Sequence, residues 1–150
     1  MDLVINGLAQ VQQQMRDLAP YLVVRSFARA LDRGAGVIAA EIEQRAEQIH
    51  DGSETPLSEH VITRVQVDTQ KNGGVATVGF DSSIDERSGI TQDLKAMLVE
   101  LGHRQVTHRP KKREVGHVPA HPFVRPAFDL AGDRAVQVFG ETLAEELGRE

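Results

Sequence analysis

ITQDLKAMLVELGH, residues 90–103, can be read in two ways, and the choice sets the layout of the C-terminal half of the chain. As a helix, Thr91 caps the first turn, Leu94, Met97, Leu98 and Leu101 form one apolar face, and Gly102 stops the run. As a strand, Met97 to His103 supplies a third β-run after two upstream ones. Pattern alone favours the helix.

Upstream, Val61, Thr63, Val65 and Val67 alternate with Ile62, Arg64, Gln66 and Asp68, and Val75 to Phe80 follows the turn Asn72-Gly73-Gly74. Two β-rich runs around a glycine-rich turn predict a hairpin. Before it, from Tyr21 to His50, Val24, Ala28, Leu31, Ala35, Ile38, Ile42, Ala46 and Ile49 lie on one stripe, which predicts a long helix. At about 1.5 Å per residue such a helix extends roughly 45 Å, more than a small domain spans, so part of the stripe is expected to meet another subunit. Gly34 and Gly36 stand in its middle, each costing about 1 kcal/mol relative to Ala, which implies either a closely packed neighbour or a bend. At the start, Asp2 to Ile5 reads as an edge strand, and Leu8, Val11, Met15 and Leu18 as the stripe of a first helix ended by Pro20. Residues 51–56 and 81–89 read as polar loops.

Downstream, His103 to His121 shows no periodicity and many charges, so it reads as a long exposed or partner-ordered loop. Pro122-Phe123-Val124-Arg125-Pro126 then opens a last helix, with Pro126 suited to the first turn and Asp129 near the positive end of the helix. Ala127, Leu130 or Ala131, Ala135, Val138, Leu143 and Leu147 continue its apolar stripe.

At 150 residues with 40% hydrophobic and 26% charged residues, the chain is expected to fold as one domain around a real core. It holds no cysteine, which excludes a disulfide framework, a thiolate zinc site and a cysteine nucleophile. No apolar run approaches the roughly 18 residues of a membrane span, and Met1-Asp2-Leu3-Val4 lacks a basic leader pattern, so a soluble cytoplasmic product with no membrane partner is expected. A net charge of -5 argues against a dedicated duplex-DNA binder. Arg104, Arg109, Lys111, Lys112 and Arg113, with no acid among them, are the local exception. They can be a solvated charge run, an arm for an acidic partner, or a phosphate-contacting tongue.

Candidate chemistry is sparse. His103, His108, His117 and His121 fall within one segment, but Gly116, Pro119 and Pro122 disfavour the helix that would align His117 with His121, and no His-Glu-x-x-His pattern is present. The carboxylate pairs Glu41 with Glu43 and Glu145 with Glu146 sit in amphipathic helices as solvated charge. Ser53, Ser58, Ser82, Ser83 and Ser88 lack a nucleophile-elbow context, and Gly73-Gly74 leads into no P-loop lysine. No catalytic residues, metal ligands or cofactor are expected, and the protein is not expected to be an enzyme.

Two segments carry a likeness. Val99-Glu100-Leu101-Gly102-His103 and Pro122-Phe123-Val124-Arg125-Pro126-Ala127 resemble the central Val-Glu-aromatic-Gly-Thr and the helix-opening Pro-Phe-Leu-Arg-Pro-Ala motifs of the siphophage minor tail-component family, the neck or tail-completion proteins. Asn6-Gly7-Leu8 and the long alanine-rich helix are similar too, and the order of elements agrees over nearly the full length. The departures are Leu101 for the aromatic, His103 for the threonine, and Thr55-Pro56-Leu57 for a Thr-Gly-Leu step. The resemblance implies an α+β fold, with a small, mainly antiparallel sheet packed with the long helix and the C-terminal helix. It also moves the Val-Glu-x-Gly segment into the sheet, giving a short helix near Ile90 to Lys95 and a strand from Met97 to His103. It further implies a structural protein of the virion tail or neck, assembled in the host cytoplasm. Such a protein forms a ring, hexameric in the family, that docks on tail-tube and head-connector proteins while genomic DNA passes through the lumen without specific binding. Glu100, Gly102, Arg104, Arg109, Lys111, Lys112, Arg113, Phe123 and Arg125 are the candidate contact residues, with Pro122, Phe123, Arg125 and Pro126 as the structural motif. The alternative from the residues is a small nucleic-acid-binding or regulatory protein using segment 104–113.

Overall fold

The computed structural model describes residues 20–49, 56–68, 73–106 and 114–148. The expected strand at 2–5, the expected first helix at 8–18 and the loop at 51–55 lie outside these residues. The described elements are α1 (Pro20–Ala46), a 3-10 turn (Leu57–His60), β1 (Val61–Asp68), β2 (Gly73–Phe80), α2 (Gln92–Leu101), β3 (His103–Val106), β4 (Glu114–Val118) and α3 (Val124–Gly148). The fold is α+β, as expected. Its described strands form two two-stranded sheets, β1 beside β2 and β3 antiparallel to β4.

Two expectations are corrected. Residues 92–101 form one helix, so the division into a helix to Lys95 and a strand from Met97 fails and the periodicity of Leu94, Met97, Leu98 and Leu101 prevails. Gly102, at φ 70 and ψ 165, ends the helix in a conformation almost confined to glycine, and the strand starts only after it. The segment 103–121 is also not one long loop. It contains β3 and β4, with His103 opposite Val118 and Arg104 opposite His117, and an irregularity between Gln105 and Val106. In β4 burial alternates, with Gly116 and Val118 half-buried and His117 exposed, whereas in β3 His103 is half-buried and both Arg104 and Gln105 face water, so the period of two is only partly present.

The chain forms two compact units, the first from 1–40, 62–78 and 130–150, the second from 41–61 and 79–129. In the first, Phe27, Ala30, Leu31, Phe139 and Leu143 make the core, with Val65, Val67, Ala76 and Leu147 packed against it. Phe27 and Phe139 meet edge to face, their centroids 5.5 Å apart, the geometry that the ring quadrupole favours. Leu130 is exposed and Ala131 buried, which resolves the register of the last stripe. Arg29 pairs with Glu146 at 2.9 Å, but half of its side chain is exposed, so the pair adds little.

The two central glycines of α1 differ in function. A Cβ on Gly34 would lie 2.9 Å from the backbone oxygen of Ala135 and 3.3 Å from Cβ of Phe139, whereas a Cβ on Gly36 would meet nothing within 4 Å. Gly34 therefore permits the close approach of α1 and α3. Gly34→Ala is expected to destabilise the protein by about 1–3 kcal/mol through overpacking, and Gly36→Ala to stabilise it by about 0.5–1 kcal/mol through helix propensity. Urea denaturation of both variants checks this, and equal effects of the same sign would refute the distinction.

In the second unit, Leu57 is almost completely buried in the 3-10 turn, which contacts α2. Phe123, 4% exposed, packs edge-on against Phe80 at 5.9 Å.

Candidate functional site

The two motifs that carried the resemblance are parts of one piece of structure. The Glu100 carboxylate of α2 accepts the backbone N–H groups of Phe123 at 2.6 Å, Val124 at 2.9 Å and Arg125 at 3.2 Å. These are the amides of the first turn of α3, which have no partner within the helix. Pro126, next in line, has no N–H to satisfy, and Ala127 donates back to the Phe123 carbonyl at 3.2 Å to begin the helical ladder. Every donor of the turn is thus accounted for, and an anion sits where the helix dipole is positive.

The return contact completes the seam. Val99, in the last turn of α2, has a carbonyl with no partner ahead of it in the helix, and the N–H of His121 reaches it at 2.8 Å. Between these bonds the chain passes so close to Gly102 that a Cβ there would lie 2.7 Å from both the Ala120 nitrogen and the Val118 oxygen. Glutamate, glycine and the Pro-Phe-x-Arg-Pro-Ala run therefore meet in one seam.

α2 also turns its faces in an unexpected way. The apolar face read from sequence looks outward, with Leu94 39%, Met97 50% and Leu101 69% exposed and Leu98 half-buried. The buried side carries Gln92, Lys95 and Ala96. Lys95 donates to Asp85 Oδ2 at 2.8 Å, and Asp85 Oδ1 accepts the N–H groups of Arg87 and Ser88 at 2.9 and 3.0 Å. Lys95, then the Ser88 amide, hold the Asp85 carboxyl below the usual carboxylate range. Two backbone bonds, from Gln92 to the Ser83 oxygen and from Asp93 to the Asp81 oxygen, fix the start of the helix. Thr91 takes the N-cap position but makes no side-chain cap. Its hydroxyl bonds Asp93 instead and, with the Leu94 amide, lowers that carboxyl.

Beside the helix start lies a His60, Asp81 and Ser83 cluster with the composition of a hydrolytic triad but not its geometry. Asp81 Oδ2 is 3.0 Å and Ser83 Oγ 3.3 Å from the same ring nitrogen, Nδ1 of His60, and Ser83 Oγ also donates to Asp81 Oδ1. A relay needs the carboxylate on one imidazole nitrogen and the nucleophile on the other. Here Nε2 is buried and has no partner among the described residues. The cluster acts as a polar lock, in which the Ser83 hydroxyl and then His60 lower the Asp81 pKa to about 2. A carboxyl with a depressed folded value stabilises the fold above its unfolded pKa of 3.8, and that contribution disappears as the pH falls through about 2. Acid titration of the wild type is expected to lose stability more between pH 4 and 2 than that of Asp81→Asn, followed by circular dichroism; parallel curves would refute the lock.

Of the other candidate residues, Arg104 and Arg125 are exposed, as is Pro122, and Pro126 is half-buried. The remaining basic residues, Arg109, Lys111, Lys112 and Arg113, lie outside the described residues, with His108. Exposed His117 and His121 and half-buried His103 do not assemble, and among the described residues no group of three His, Asp or Glu side chains could hold a metal ion. No described helix is long and apolar enough to cross a membrane. Neither family models, nor curated proteins, nor solved structures gave a match to this chain.

The Glu100 cap and the polar underside of α2 are what sequence reading missed. The Lys95 and Asp85 pair and the Glu100 and Phe123 pair are separated by 10 and 23 residues, beyond any local pattern. Only the co-occurrence of an acid before Gly102 and a Pro-x-x-x-Pro helix start gave a signal.

Proposed function

We propose that this protein is a structural component at the head-proximal end of a phage tail, acting in neck formation or tail completion by assembling into a ring and docking on tail-tube and connector proteins. The reading rests on the resemblance of the Val-Glu-x-Gly and Pro-Phe-x-Arg-Pro-Ala segments. The observation that carries it is the Glu100 cap, which joins both segments into a single physical unit. Residues 23–25 positions apart that depend on one another form a more demanding signature than either run alone. The outward apolar face of α2 is further support, since a large exposed apolar patch marks a surface that another protein covers.

In this role the protein catalyses nothing and needs no cofactor. A heterologous interface, repeated around an axis, closes a ring through which DNA can pass, and an acidic chain with a net charge of -5 would not retain the DNA. Light scattering over a concentration series, followed by negative-stain imaging, tests the proposal. Rings, or a monomer that forms rings when tail-tube or connector protein is added, are expected. A monomer that ignores those partners and binds DNA with a steep salt dependence would instead place the function in the basic segment 104–113.

A further inference from the structure

We draw no further inference here: the strongest candidate, the outward apolar patch of Leu94, Met97 and Leu101 on α2, is a surface for which nothing in the structure shows what covers it.

Discussion

Gly102→Ala is expected to remove about 3 kcal/mol or more of unfolding free energy. Two independent penalties coincide. At φ 70 and ψ 165 the backbone occupies a region that residues with a Cβ almost never adopt. The added methyl would also lie 2.7 Å from the Ala120 nitrogen and the Val118 oxygen, which are backbone atoms with no side-chain freedom to yield. Relief requires the 118–120 segment to move, and that segment leads directly to the amides that Glu100 holds. Urea denaturation with the slope held common measures the loss. A change below about 1 kcal/mol would mean that the turn adjusts freely and that the seam is not rigid.

Glu100→Ala is expected to destabilise the protein by about 2–3 kcal/mol. Three N–H groups lose a charged acceptor at once, and Phe123, nearly buried, sits at the point where water would have to enter to replace it. Glu100→Gln, which keeps one carbonyl oxygen, is expected to lose only about half as much. Hydrogen exchange adds a local reading: the amides of 123–125 should exchange faster in Glu100→Ala while those near Phe139 keep their protection. Uniform acceleration would show that the effect is global and that the carboxylate is not a cap.

Much of the layout was legible in the residues. Every apolar position read on the long N-terminal stripe from Leu31 to Ala46 is buried in α1, because a 3.6-residue period states which side of a helix must leave water. The β1 and β2 runs were legible for the corresponding reason at a period of two. β3 and β4 were not, since Arg104, Gln105 and His117 dominate a hairpin whose few inward residues include a histidine and a glycine. Composition read that stretch as a loop, and only the backbone pairing overrules it.

α2 marks the boundary between the two kinds of information. Its existence, and the grouping of Leu94, Met97, Leu98 and Leu101 on one face, followed from spacing alone, because side-chain positions around a helix are fixed by its local geometry. Which face turns inward is set by Asp85, ten residues away, which offers Lys95 a buried partner, because a buried charge left unpaired costs about 3–5 kcal/mol. In the same way the sequence placed Pro126 and Phe123 at a helix start, and the tertiary structure alone brought Glu100 to that start. Periodicity records how each segment would bury itself if it stood alone, whereas charge pairing and capping join groups distant in the chain, and those contacts exist only once the fold has brought them together.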